Sequence, residues 1–231
     1  MRANDVLYHG TKDENLAKAI IACGEIRPGA TIQGRGHLAS VARRTYLTRD
    51  LRYAAVYALG GDFVGTAMGD QHIKVRGRYG YAFTCDPAQL RDPQPDEDCI
   101  GAFIGRHTKQ RWDTSAVPWR NLGLHVDIPE DDPEHVQKLV IWRKIATAMT
   151  PRQFQRSAQG LIAYQASGGK RALKALTRAD KELLIKWGAH IAHLGPIKPT
   201  ACWRIDRTKS AKIAKDGSNF LQIAEPVPLH G

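Results

Sequence analysis

The chain has 231 residues, 42% of them hydrophobic and 25% charged, which suits one large domain or one domain with an added lobe. That balance excludes disordered, collagen-like and disulfide-stapled chains. The formal net charge is +11, and it is segregated: residues 1–133 carry 17 basic and 17 acidic side chains, residues 134–231 carry 17 and 6. The basic half predicts a face for a polyanion, nucleic acid first. The longest stretch free of Lys, Arg, Asp and Glu, Ser157 to Gly169, is thirteen residues, too short to cross a bilayer. Residues 1–5 lead directly into Val6-Leu7-Tyr8 with no secretory segment, and no membrane association is expected. Cys23, Cys85, Cys99 and Cys202 form no C-x-x-C pair, so neither a disulfide framework nor a zinc site is expected and a cytoplasmic location follows.

In chain order, Val6-Leu7-Tyr8 reads as a strand. Thr11 to Glu14 reads as a capping box opening a helix that Gly24 ends. Residues 26–39 are loop-like. Thr45 to Thr48 reads as a strand, and Thr48 caps a helix from Asp50 to Leu59. Tyr79 to Asp86 is a further strand, and Asp96 caps a short helix lined by Ile100, Phe103 and Ile104. Lys109 to Asp132 is a long polar loop with Trp112 and Trp119, rings suited to stacking on bases. Leu139 to Trp142 reads as a core strand. Thr150-Pro151 opens a helix to about Ser167, interrupted by Gly168-Gly169, and Thr177 to Asp180 opens another. Cys202 to Ile205 and Phe220 to Ile223 read as closing strands that return to the sheet. The fold class is α+β.

Two motifs carry chemistry. Tyr8-His9-Gly10-Thr11 ends the first strand. Thr45-Tyr46-Leu47-Thr48 is followed by Tyr57 in Ala54-Ala55-Val56-Tyr57-Ala58. In this order and spacing, residues 6–105 resemble the ADP-ribosyltransferase superfamily of the His-Tyr-Glu type, including its phage and toxin–antitoxin members. The resemblance implies a split β-sheet core that binds NAD as co-substrate. His9 would bond a ribose hydroxyl and Gly10 would offer its backbone to the carboxamide. Tyr46 and Tyr57 would sandwich the nicotinamide, and Thr11 would add a hydroxyl or merely cap its helix. Nicotinamide is a cationic leaving group, so such a site must grip ring and ribose and stabilise an oxocarbenium-like sugar.

The family's third motif, a Glu on a late strand, has no match on Gln137 to Trp142 or His190 to Ile197. Pro95-Asp96-Glu97-Asp98-Cys99-Ile100-Gly101 resembles a segment of phage-borne members and makes Glu97 the best carboxylate, ahead of Glu134. Arg35 lies in the loop where relatives bind NAD phosphates or substrate, and its guanidinium suits phosphate. Arg43 and Arg44 share that chemistry. His190 and His193 would approach the site if their strand returns to it, and no complementary ligand spacing makes them a metal pair.

Together these predict an NAD-binding core at 1–149, a basic helical lobe at 150–195 and returning strands at 196–231. The expected activity is NAD-dependent ADP-ribosylation of a macromolecule, RNA or DNA ahead of protein. The resemblance places it among bacterial or phage toxin and defence enzymes, with an antitoxin protein as a further partner. The alternatives are an RNA 2′-phosphotransferase on the same fold and a non-catalytic nucleic-acid-binding module.

Overall fold

Seventeen elements follow one another in the computed structural model, which describes residues 6–28, 43–59, 77–109, 125–212 and 219–229. They are β1 (Leu7–Thr11), α1 (Glu14–Cys23), β2 (Arg44–Leu47), α2 (Leu51–Leu59) and β3 (Tyr79–Cys85). Next come β4 (Gln94–Pro95), α3 (Glu97–Arg106), β5 (Thr108–Lys109), β6 (His125–Val126) and α4 (His135–Ala148). After these are α5 (Pro151–Ala158), α6 (Ile162–Leu173) and α7 (Arg178–Lys186). The chain closes with β7 (Ile191–Leu194), β8 (Pro199–Asp206), α8 (Phe220–Ile223) and β9 (Glu225–Val227). The architecture is α+β, in two compact units. Among the described residues, one unit holds the chain up to Pro93 and from His190 onward; the other holds Gln94 to Ala189. The division falls at 94 rather than at 150, because α3 and α4 share a core with the later helices.

The first unit is built on an antiparallel sheet of order β1-β3-β8-β9, and β2 pairs antiparallel with β7. Strand β8 thus returns to β3, as the sequence predicts for Cys202 to Ile205; β7 returns to β2, and β9 lies against β8. Phe220, Ile205, Ala82, Ala55 and Ala58 form a buried cluster in which α2 meets the sheet. Burying a side chain such as Phe220 is worth roughly 1.5–3 kcal/mol.

Helix α1 begins two residues later than expected. Asp13, not Thr11, is the N-cap, and it accepts from the N–H groups of Asn15 and Leu16. Thr11 belongs to β1, and its hydroxyl takes the Asp13 N–H at 3.3 Å. An Asp sits closer to the first helical turn and brings the charge that a helix N-terminus favours. Glu14 is then released to accept from the N–H groups of Arg78 and Tyr79, which secures the start of β3. Gly24 ends α1 in the left-handed region at φ 69°, as the sequence predicts.

The second unit is a helical bundle around Ile100, Phe103, Ile104, Ile141, Ile145, Phe154 and Leu184. Leu139 to Trp142, expected as a strand, lies inside α4. Ile141 and Ile145 are its buried residues, a helical spacing that a four-residue apolar run cannot reveal. Gly168 and Gly169 do not interrupt α6 but lie within it, and the break comes earlier, at Gly160 with φ 77°. A Cβ on Gly169 would lie 1.7 Å from the Glu97 carbonyl oxygen, and one on Gly101 2.1 Å from that of Gln165. The paired glycines therefore let α3 and α6 approach backbone to backbone. Phe220 to Ile223, also expected as a strand, is the single helical turn α8, and β9 follows it.

Candidate functional site

The site assembles where β1 and β2 meet. Tyr8 and Thr48 exchange both backbone hydrogen bonds, at 2.8 and 2.9 Å, in an isolated antiparallel bridge. The backbone of Tyr8 therefore points away from β3. In an antiparallel ladder the hydrogen-bonding direction alternates, so the N–H and C=O of Gly10, two residues on, face the same open edge of β1. By the same alternation the backbone of Tyr46 faces β1 from the edge of β2, whose other edge pairs with β7. Continued in register, the bridge would set Gly10 opposite Tyr46. The bridge is isolated, however, and beside it the Tyr46 carbonyl accepts from His9 Nδ1 at 2.9 Å.

That hydrogen bond fixes the His9 tautomer. A carbonyl only accepts, so Nδ1 carries the proton and Nε2 presents a lone pair. Burial lowers the His9 pKa and outweighs the opposing effect of the carbonyl, so the ring is held neutral. His9 lies in the middle of β1, and its neighbour across the ladder is the fully buried Phe83.

Helix α2 covers this region. A Cβ on Gly10 would lie 2.0 Å from the Ala54 carbonyl oxygen, and one on Gly80 would lie 2.0 Å from that of Ala58. Gly10 thus has a packing reason for lacking a side chain, besides its open-edge backbone. Arg207 anchors the arrangement by donating to the carbonyls of Lys12 (2.5 Å), Gly77 (2.5 Å) and Ala58 (3.2 Å), which ties the end of α2 to the turn after β1. Thr48 and Asp50 start α2 by accepting from the N–H groups of Asp50 and Arg52.

Tyr57, half-buried on α2, belongs to the same unit as His9, Gly10, Thr11 and Tyr46. So does Tyr53, which sequence reasoning missed. Its ring meets His190 edge-on with centroids 4.5 Å apart. Tyr53 precedes Tyr57 by four residues and so shares its flank of the helix; that spacing was the available signal. His190 immediately precedes β7 and extends the β2–β7 register to a position opposite Thr48. Thr11 is buried and its hydroxyl serves the turn into α1.

Other candidates have structural duties. His193 is fully buried; its Nδ1 accepts the Arg91 N–H at 2.9 Å, and its Nε2 donates to the Pro196 carbonyl at 3.1 Å. Both nitrogens are committed, which leaves none for a ligand. Arg44 bonds the carbonyls of Asp92 and Ala192 and pairs with the Asp92 carboxylate at 2.6 Å. Arg43 is exposed at φ 72° beside this contact. Arg35, Trp112 and Trp119 lie outside the described residues.

Glu97 belongs to the helical unit. It is 3% exposed in the first turn of α3, between Asp96 and Asp98. Asp96 caps the helix by accepting the Asp98 N–H. Burial and mutual repulsion push Asp96 up to about 7 and Asp98 to about 8. Glu134 lies just before α4, and its carboxylate holds Lys186 Nζ at 2.7 Å, which keeps it below the ordinary carboxylate range. Its expected strand neighbour is the helix α4, so Glu134 is not a late-strand carboxylate.

Compared with known protein families, curated proteins and solved structures, the chain matches none. No helix among the described residues is long and apolar enough to cross a membrane.

Proposed function

We propose that the chain breaks the nicotinamide–ribose bond of NAD and transfers ADP-ribose to a nucleic acid. The observation that carries this is the hydrogen bond from His9 Nδ1 to the Tyr46 carbonyl, which joins the two motifs beside the isolated bridge of β1 and β2 and leaves a neutral His9 with a defined tautomer. A carboxamide needs one donor and one acceptor in a plane, and the edge backbone of Gly10 offers both. His9 Nε2 accepts from a ribose hydroxyl. Tyr46 and Tyr57 grip the nicotinamide ring by their aromatic faces, an attraction that the ring's positive charge strengthens.

The bond from ribose C1′ to the pyridinium nitrogen breaks with its electron pair leaving on nicotinamide, which departs neutral. The sugar becomes oxocarbenium-like, and a nitrogen or hydroxyl of the nucleic acid adds to C1′ and gives up its proton to solvent. Glu97 is the carboxylate that the sequence resemblance offers for that cation. The basic half of the chain supports a polyanionic acceptor.

The commitment of Arg44 to Asp92 and Ala192 removes one of the guanidinium groups that a 2′-phosphotransferase would need for its phosphate. The test is incubation with labelled NAD and a mixture of RNA, DNA and protein. Release of nicotinamide with label on the nucleic-acid fraction is the expected result. Intact NAD would overturn the proposal in favour of a non-catalytic binding module, and loss of an RNA 2′-phosphate would select the phosphotransferase.

A further inference from the structure

Residues 135–179 contain nine Lys and Arg side chains and no Asp or Glu. Three of the nine are neutralised by carboxylates just outside the segment: Lys138 by Asp132, Lys144 by Asp180 and Arg178 by Glu182. Lys170 lies where its charge is felt by Asp98. Among the described residues, Arg152, Arg156, Arg171 and Lys174 have no carboxylate partner within ion-pair distance, and all four are exposed. Arg152 and Arg156 belong to α5 and Arg171 to α6, with Lys174 at the C-cap of α6; the two helices pack together as a hairpin across the turn at Gly160.

The hairpin has two sharply different sides. Phe154 and Ser157 of α5, and Ala166 and Ala172 of α6, are buried. On the outside, Arg152 and Arg156 are one turn apart on α5. Tyr164, Ser167, Arg171 and Lys174 follow one another at spacings of three and four residues along α6, a single flank of the helix. The two rows adjoin: the Arg152 guanidinium lies 5.7 Å over the Tyr164 ring, and Gln153 Nε2 reaches Ser167 Oγ at 3.4 Å.

We infer that this outward face of α5 and α6 docks the phosphate backbone of a single-stranded nucleic acid. The choice of partner rests on the acceptor proposed above, together with the chemistry of the face. Arg152 and Arg156 stand about 6 Å apart along the helix, from a rise of 1.5 Å per residue, so each can meet its own phosphate. A guanidinium over an aromatic face spends none of its N–H donors on that contact and keeps them for phosphate oxygens. Tyr164 adds a face on which an unpaired base can stack, which a duplex would deny it. An anionic membrane fits less well. Among the described side chains, Phe154, Ala166 and Ala172 are buried and Leu161 at the turn is the one large apolar residue exposed, so the face has no hydrophobic stripe to insert.

The experiment is fluorescence anisotropy with a labelled single-stranded RNA or DNA, the full chain and no NAD, over a range of salt. The double variant Arg152→Gln/Arg156→Gln is expected to bind about tenfold more weakly at low salt. Its plot of log affinity against log salt should be shallower by about 1.4, for two single-strand contacts at roughly 0.7 each. Tyr164→Ala is expected to weaken binding without changing that slope. Unchanged affinity and slope in the double variant, or equal loss of binding to phosphatidylserine vesicles, would overturn the inference. Arg152 and Arg156 are exposed and Tyr164 is half-buried, and circular dichroism checks the fold of each variant. Basal nicotinamide release without nucleic acid should match the wild type in these variants. If NAD is never consumed, the binding result still stands or falls alone.

Discussion

His9 Nδ1 donates to the Tyr46 carbonyl at 2.9 Å, across 37 residues of chain, beside the isolated bridge that joins β1 to β2. One hydrogen bond therefore joins the two sequence motifs and sets the imidazole tautomer. Burial keeps the His9 pKa below its ordinary 6.5. The folded state then binds this proton less readily than the unfolded chain, so the His9 contribution to stability is constant above 6.5 and falls as pH drops below it. Nicotinamide release is expected to be flat above that pH and to decline on the acid side. A rate that climbs as pH falls would mean that imidazolium, not imidazole, acts.

Glu97 and Glu134 are separated by a pair of isosteric variants. Glu97→Gln is expected to lower nicotinamide release by about a hundredfold, the scale of one lost electrostatic contact in a transition state. NAD affinity, measured by calorimetry, should change little. Glu134→Gln weakens the pair with Lys186 at the edge of the helical unit and should leave turnover at the wild-type level. Full turnover in the first variant would remove Glu97 from the reaction.

Gly10→Ala tests the packing of α2. The added methyl would be driven 2.0 Å from the Ala54 carbonyl oxygen, a backbone atom that cannot swing aside. Overpacking of this kind costs about 1–3 kcal/mol. Thermal denaturation should show the loss, and an unaltered melting temperature would mean that α2 does not lie so close.

Asp98 makes a pH prediction of opposite sign to His9. Its carboxyl is raised to about 8 by burial and by Asp96 and Glu97, and its Oδ1 is buried with no hydrogen-bond partner among the described residues. A carboxyl with a raised folded pKa is most favourable to the fold when protonated. Stability is therefore highest below the unfolded value, near 4, and falls as pH rises toward about 8. Asp98→Asn mimics the neutral acid. It should stabilise at pH 8 by on the order of 2 kcal/mol, after solvent screening, with the gap shrinking toward pH 5. Denaturant titrations at the two values check this, and a gap that does not depend on pH would contradict it.

The strands and helices around the site were legible in the sequence because each carries its own signal. Gly24 after α1 and Thr177 before α7 are local chemistry, and the structure uses them so; before α2 the cap passes from the expected Thr48 to Asp50, which accepts the Arg52 N–H while Thr48 accepts only the Asp50 N–H. Failures came where distant contacts decide. Leu139 to Trp142 is helical because Ile141 and Ile145 face one core, and Gly168-Gly169 stays in α6 because α3 and Met149 press against it. The isolated bridge that joins β1 to β2 was invisible as well. Nothing in Gly10 or Tyr46 alone announces that their backbones face one another past a single bridge. Tyr53 was hidden for a simpler reason: its contact, His190, is more than 130 residues away in the chain.

The most direct test of the NAD assignment is nicotinamide release by the wild type and by His9→Ala and Tyr46→Ala, with circular dichroism to confirm folding. Release by the wild type that falls by at least about a hundredfold in both folded variants is the predicted result. Release at the wild-type rate in either variant, or none from the wild type in the presence of RNA and DNA, would contradict it.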